Sequence, residues 1–343
     1  MRKHIFECLE LAFFSCILLA GCSDHRLSQG RAFQLKEVSY EELPGWQEDN
    51  LIEALPALIY SCKRPTEEWK DFCSGLIRLQ AQSSDQIAQY IQSHLTPYAV
   101  ISYGSPQGMF TGYYEAELTG TRERVSETQV PIYGLPYDYQ KDQKMCSRSE
   151  IEADSDFEAP IIAWADDPVD KFILQIQGSG RMMTPDGEIK LGYAGNNGHT
   201  FVGIGTIMKE AGVLERGKAS MPEMRKWLKA NPEQARALMA ENPRYIFFQE
   251  IQGESPYGAA GVVLTPKRSI AVDNSYIPMN TPVWLATHDP DGESLKRLVV
   301  AQDIGTAIRG GVRADFFWGH GEEAFDKAGR MKSSGRYYVL LPD

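Results

Sequence analysis

The residues best equipped for chemistry cluster in Arg297–Gly321, RLVVAQDIGTAIRGGVRADFFWGHG. Leu298-Val299-Val300-Ala301 is an apolar run with β-branched residues, which predicts a strand buried on both faces. Asp303 follows it directly. Gly305, Gly310 and Gly311 then predict a tight bend, and Asp315 opens a second β-favouring run, Phe316-Phe317-Trp318. Two carboxylates on neighbouring segments, one at a strand end beside glycines and aromatics, form a candidate acid/base site. The competing reading makes both of them turn carboxylates that accept backbone N–H bonds. Asp273 closes a further short β run ahead of Pro278-Met279-Asn280-Thr281, so three strand-associated carboxylates are expected to converge there.

The rest of the inventory is polar and uncharged. The chain has no HExxH, no GxSxG, no P-loop and no cysteine/histidine cluster with zinc spacing. Carboxylates, amides, glycines and aromatics remain, a set suited to carbohydrate. Phe110-Thr-Gly-Tyr113-Tyr114 is β-favouring; its aromatics are either core or a platform for pyranose faces, and Gly112 admits a close approach to the backbone. Lys171–Gln177 reads as an alternating strand, with Phe172, Leu174 and Ile176 on one face and Gln175 and Gln177 on the other. It leads into Gly178-Ser179-Gly180, and amides beside a glycine turn suit a polar, neutral ligand. Lys190–Gly198 reads as a turn-dense loop carrying Tyr193, Asn196 and Gly198. His199 is either a base or a partner for backbone. Gly203 and Gly205 follow no strand, which excludes a dinucleotide-binding turn.

Other elements must position these groups. The chain has 343 residues, long enough for two domains, with 43% hydrophobic and 24% charged residues, as in globular proteins. A net charge of -11 without a basic stripe excludes a nucleic-acid footprint. Residues 23–50 read as an irregular tether, and Leu51–Leu95 as helical. There Ser83 and Gln86 form a capping box, Ile87, Tyr90, Ile91 and Leu95 form an apolar stripe, and Pro97 stops the helix. Further helices are predicted over His199–Gly212, after Ser220, and after Asn231-Pro232 as far as Asn242-Pro243. From Tyr245 onward the pattern is β: Tyr245–Gln249, Gly261–Leu264, Ser269–Asp273, Pro282–Ala286, Arg297–Gln302, Asp315–Trp318 and Arg336–Leu341. Seven short strands with turn signals predict a small closed or nearly closed barrel.

The N-terminus adds an address. Arg2-Lys3-His4 precedes an apolar stretch, Leu9–Ala20, that is short for a membrane span. Leu19-Ala20-Gly21-Cys22 resembles the bacterial lipobox, which implies a signal peptide over residues 1–21 and lipidation of Cys22. Ser23 and Asp24 then favour the outer membrane over the inner one. Outside the cytoplasm a disulfide is permitted, and Cys62 and Cys73 flank a turn between helical segments, leaving Cys146 unpaired.

From about residue 108 onward the sequence resembles the membrane-bound lytic transglycosylases of the A type. The resemblance runs through Phe110–Tyr114, Pro131-Ile-Tyr133, Gln177–Gly180, Tyr193–Asn196, Gly198-His199, Asn242-Pro243, Ala271–Asp273, Ile277-Pro278, Gln302–Gly305, Ala307-Ile308 and Asp315. It implies a mainly β fold with accessory helices, in which a double-psi β-barrel (22–115 and 242–343, with N-terminal helices) receives an inserted β-rich domain (116–241), and glycan lies in the groove between them. It implies cleavage of the β-1,4 bond between N-acetylmuramic acid and N-acetylglucosamine in peptidoglycan, leaving a 1,6-anhydro end. Asp303 would be the acid and then the base, with Asp315 and Asp273 in support. Tyr113, Tyr114 and Tyr193 are expected to stack, and Gln175, Gln177, Ser179, Gly180, Asn196 and Gly198 to contact sugar. No metal or cofactor is expected; the expected partners are peptidoglycan strands, a membrane through the lipid anchor, and wall-synthesis proteins. Where the family pattern has glycine, this chain has Thr306, which requires a negative φ there. Three other readings compete: a wall-binding lipoprotein that does not cut, an aspartic peptidase, which needs a second Asp-Ser/Thr-Gly, and a cation site at the aspartates.

Overall fold

The computed structural model describes residues 33–80, 82–141, 143–214, 219–254 and 256–342. The expected signal peptide, 1–21, and Cys22 lie outside the described residues. Strand β1 (Phe33–Glu37) precedes helices α1 (Leu55–Ser61), α2 (Lys70–Leu76) and α3 (Ser84–Gln92), then β2 (Leu95–Ser102) and the long β3 (Gly108–Thr121). Next come β4 (Val130–Tyr133), α4 (Arg148–Ala153), β5 (Ile161–Ala165), α5 (Pro168–Gln177), β6 (Gly180–Thr184), β7 (Gly187–Asn196), α6 (Ile204–Glu210), α7 (Met221–Ala230), α8 (Pro232–Ala240) and β8 (Ile246–Glu250). The chain closes with β9 (Ser269–Val272), β10 (Pro282–His288), β11 (Ser294–Ile304), β12 (Arg313–His320), α9 (Glu322–Arg330) and β13 (Lys332–Pro342).

The molecule is mainly β with accessory helices. Strands β13, β10, β11, β9, β12 and β3 pair in that order, and β3 pairs back to β13, closing a ring. Two of its contacts, β11–β9 and β12–β3, are parallel and the others antiparallel, so the ring is not a regular up-and-down barrel. Phe110, Ile270, Val272, Val299, Ala301, Ala314 and Phe316 belong to the buried core of this ring. The second β-rich unit grows from the same strand: beyond the ring β3 pairs with β6 at Ala116–Thr119, and β6, β7 and β8 complete the sheet.

The N-terminal helices pack against Trp284, Leu298 and Val300, forming a separate apolar cluster. A buried ion pair pins them. The Arg268 guanidinium donates to Asp49 at 2.7 and 2.8 Å and to Glu53 at 2.9 Å, while Asp49 also accepts the Leu298 N–H at 2.8 Å. Cys62 and Cys73 form a disulfide with Cα atoms 5.3 Å apart, joining the end of α1 to α2, and Cys146 is free and exposed.

Several local expectations are corrected. Lys171–Gln177 is helix α5, not a strand. Asp167 caps it by accepting the N–H groups of Val169 and Asp170, Pro168 starts it, and Gly178 ends it at φ 83°. Val169, Phe172, Ile173 and Ile176 have helical spacing; alternation misled because much of the helix circumference is buried. Lys190–Gly198 is largely strand β7, not a loop. Its glycines answer packing: a Cβ on Gly192 would lie 2.7 Å from Ile251 and one on Gly195 2.7 Å from Leu135. Residues 33–37 form β1 within the expected tether, Pro97 sits inside β2, Gly261–Leu264 contributes only a bridge at Val263, and helix α6 begins later than His199. Helix α9 was not expected at all.

Arg268→Met leaves Asp49 as an uncompensated charge in the interior. We expect a loss of about 3–5 kcal/mol of unfolding free energy, read by urea denaturation.

Candidate active site

Side chains alternate along a strand, so Asp303 in a regular β11 would face the way Val299 and Ala301 face, into the ring. It does not. Ala301 pairs with Ile270, but Asp303 pairs with Ala271, so Gln302 is an extra residue, a β-bulge. Ile270 and Val272 belong to the ring core; Ala271, between them, faces the other way, and Asp303 now shares its face. The row continues, because Ala271 also pairs with Asp315 and Asp315 with Thr111. Asp303, Ala271, Asp315 and Thr111 therefore form one line across four strands, in the floor of a cleft of about 410 Å³.

Gln302 holds the bulge. Its side chain is fully buried against α1: Nε2 donates to the Ala57 carbonyl and to Ser61 Oγ, each at 2.8 Å, and Oε1 accepts from Ser269 Oγ at 2.6 Å. The Ala260 N–H donates to the Gln302 carbonyl at 3.0 Å. Asp303 Oδ1 accepts two backbone N–H groups, Ala259 and Ile304, each at 2.9 Å. Burial pushes its carboxyl up to about 6, against those two N–H bonds and the neighbouring Tyr113 hydroxyl, while the charge of Asp315 adds to the rise.

Asp315 sits one small residue away in different company. Thr111 Oγ1 donates to its Oδ1, and the Arg313 guanidinium donates to the same oxygen at 2.7 Å. Burial pushes its carboxyl above the usual carboxylate range, and Arg313 works against the rise. Asp273 is outside the cleft lining. Its Oδ1 accepts from Ser275 N and Oγ at 3.2 and 2.6 Å, and its Oδ2 accepts from Gly310 N at 2.9 Å. Burial alone would raise it, but these bonds together hold it below the usual range. Two of the three carboxylates thus meet in the cleft, and the third occupies the turn role.

The ring side supplies the floor and the second unit the opposite wall, including Gln177, Tyr193, Phe201, Met224 and Arg244. Tyr113, Tyr114 and Gln175 also line the cleft. Gln175 has both ends engaged within the second unit, accepting from Arg148 and donating to the Ile246 carbonyl at 3.1 Å. Gln177 Oε1 accepts the Tyr114 N–H at 3.2 Å. Ser179, Gly180, Asn196 and Gly198 do not line it. Asn196 Nδ2 donates to the Tyr193 hydroxyl at 2.5 Å, steadying a ring that is half exposed at the cleft. A Cβ on Gly180 would lie 2.4 Å from Leu174, and Gly198 holds φ at 74° against the Gln143 carbonyl. Gly112 admits protein, not ligand: a Cβ there would lie 2.7 Å from Trp318 Nε1 and 2.8 Å from Ala328 of α9. His199 Nε2 is spent on the Met145 carbonyl at 2.8 Å. Thr306 is not among the described residues with positive φ. No group of His, Cys, Asp and Glu side chains among the described residues is arranged to hold a metal.

Sequence reasoning missed Thr111, Arg313, the Ala259 N–H and the Tyr113 hydroxyl. Arg313 and Asp315 lie two apart on a strand, a spacing that puts them on one face; nothing local announces Ala259.

The MltA specific insert domain matches residues 109–249 and the 3D domain residues 268–341. The membrane-bound lytic murein transglycosylase A of Escherichia coli (strain K12) is 34% identical over 248 residues, which is 70% of this chain and 66% of that protein; the aligned part thus spans about two thirds of that relative. Among solved structures, the lytic transglycosylase LtgG of Burkholderia pseudomallei is 41% identical, with 93% of this chain and 97% of that one covered at a TM-score of 0.66. MltA from Neisseria gonorrhoeae is 32% identical, with 92% and 94% covered at 0.82. Escherichia coli MltA with bound chitohexaose is 26% identical, with 91% and 94% covered at 0.72.

A raised carboxyl is a stability statement. Asp303 titrates near 3.9 when unfolded and at about 6 when folded, so folding disfavours its ionised form. The carboxyl contributes no penalty below the unfolded value and its full penalty above the folded one. Asp303→Asn should therefore stabilise the fold by about 3 kcal/mol at most at pH 7 to 8, with the gain vanishing below pH 4, as read from denaturation midpoints across pH.

Proposed function

Because the chain belongs to the membrane-bound lytic murein transglycosylase A family, we propose that it is a peptidoglycan lytic transglycosylase that cuts between N-acetylmuramic acid and N-acetylglucosamine and leaves a 1,6-anhydro end. The ring, with the N-terminal helices behind it, brings the acid, and the insert (116–241), whose sheet β8 completes, brings the far wall together with Arg244. The observation that carries this reading is Asp303: a bulge turns it into the cleft, one oxygen is fixed by two N–H groups, and burial raises it to about 6. A carboxyl of that kind is substantially protonated in mildly acidic medium and can give its proton to the glycosidic oxygen. A hydrolase needs a second carboxylate to attack or to activate water. Here Asp315 is already committed to Arg313 and Thr111, which supports attack by the sugar's own 6-hydroxyl, held at high effective concentration. Asp303, once ionised, then takes the proton from that hydroxyl. Asp315 shapes the field at the acid, and Asp273 fixes the turn at Gly310.

The chitohexaose bound to the Escherichia coli relative supports a β-1,4-linked glycan in this cleft. Tyr193 stacks and Gln177 bonds to sugar in this reading. Among the described residues no helix is long and apolar enough to cross a membrane. We propose attachment through lipidated Cys22 to the outer membrane, facing the periplasm, where wall-synthesis proteins are its natural partners.

Purified sacculi digested with the wild type should yield anhydro-ended fragments by mass spectrometry, and Asp303→Asn should yield none. Reducing ends would establish a hydrolase. Retained binding without release from either protein would establish a wall-binding protein instead. The first step needs protonated Asp303, so kcat should fall as pH rises through about 6. Asp315→Asn should keep measurable activity, at least ~10-fold above Asp303→Asn, because its role is indirect.

A further inference from the structure

We propose that Tyr113 is a positioning residue for Asp303, its hydroxyl being the donor kept ready for the carboxylate that forms when Asp303 gives up its proton. The inference rests on Asp303 acting as acid and then base. Tyr113 lies two residues beyond Thr111 on β3, hence on the same face as the row that holds both carboxylates. Across the strand it pairs with Phe317, and the two rings pack with centroids 5.1 Å apart, which fixes the direction of the phenol.

The hydroxyl is buried in the cleft floor and completes no hydrogen bond among the described residues. Such an orphan is costly unless a partner arrives. Asp303 is the neighbour that acts on it most strongly, and Asp315 adds to the effect. Burial, together with these carboxyls, drives the phenol further from ionisation, so it stays a donor throughout. A neutral acid is a weak acceptor and a carboxylate a strong one. The bond therefore strengthens as the Asp303 proton moves to the leaving glycosidic oxygen, which also keeps the electron pair of the broken C–O bond. Later the carboxylate takes the proton of the sugar hydroxyl as that oxygen bonds to the anomeric carbon. Tyr113 neither gains nor loses a proton. An interaction that grows along this path lowers the barrier and leaves substrate binding alone.

Tyr113→Phe keeps the ring and removes the donor. The expected results are a fall in kcat of roughly 10- to 100-fold with KM little changed, and an alkaline limb of kcat displaced to higher pH. A merely structural role would not move that limb upward. The decisive readout is independent of turnover: the Asp303 carboxyl is titrated by carbon-13 NMR in wild type and Tyr113→Phe, with thermal melts confirming both folds. An upward displacement in the variant supports the inference. An unmoved or lowered titration overturns it, whether or not the wild type makes anhydro products; absence of those products from the wild type would instead overturn the proposed reaction.

Discussion

One extra residue decides which way the acid points. Strand parity would send Asp303 into the ring with Val299 and Ala301, where a carboxyl would face only apolar core. The bulge at Gln302 reverses the parity for the last turn of the strand. Bulges cost a ladder bond, so this one needs holding, and Gln302 does that by reaching away from the ring into α1. The accessory helices thus have a role beyond covering a sheet. They present the Ala57 carbonyl and the Ser61 hydroxyl to Gln302, and Arg268 and the Cys62–Cys73 bridge fix the helices in turn.

The cleft floor separates two carboxylates by chemistry more than by distance. Only the Ala271 methyl group stands between them in the row. Asp315 faces a guanidinium and a hydroxyl; Asp303 faces two amides and a phenol, all neutral. Burial is the largest influence on both and lifts both above the usual range; at Asp315 the Arg313 cation works against it, and at Asp303 only neutral donors do. Arg313 also damps the field that Asp315 projects on its neighbour. Pairs of carboxyls held in unlike environments are the usual means of dividing acid and charge-holding roles.

The two strands, the glycine turn and Asp303 at a strand end were legible because buried strands and their ends are written locally. So were the Ser83 and Ser220 caps and the Cys62–Cys73 bridge, all of which depend on spacing. The parity flip was not legible: QDI looks the same with or without a bulge, and only the partner strand reveals the extra residue. Helix α5 is masked in the sequence by a three-residue alternation, although Asp167-Pro168 and Gly178 are its boundary marks. The glycines of β7 look like turn residues because the Ile251 and Leu135 side chains they accommodate come from distant sequence. Gly112 marks a close approach, and what approaches is Trp318 and α9.

Strand β3 explains why so open a cleft can keep its geometry. Its first half supplies Thr111 and Tyr113 to the floor, and its second half is the strand from which the opposite unit grows. Floor and wall are therefore one covalent, hydrogen-bonded element and not two bodies on a linker. At the junction Glu115 is buried and accepts from Arg181 of β6 at 2.6 Å, bracing the two halves. Opening the cleft by rotation at this point would break the Ala116–Gly180 pairing and the Glu115–Arg181 contact together. A polymer entering from the side then meets a site whose width is already set, so its binding energy can go into orienting the scissile bond at Asp303.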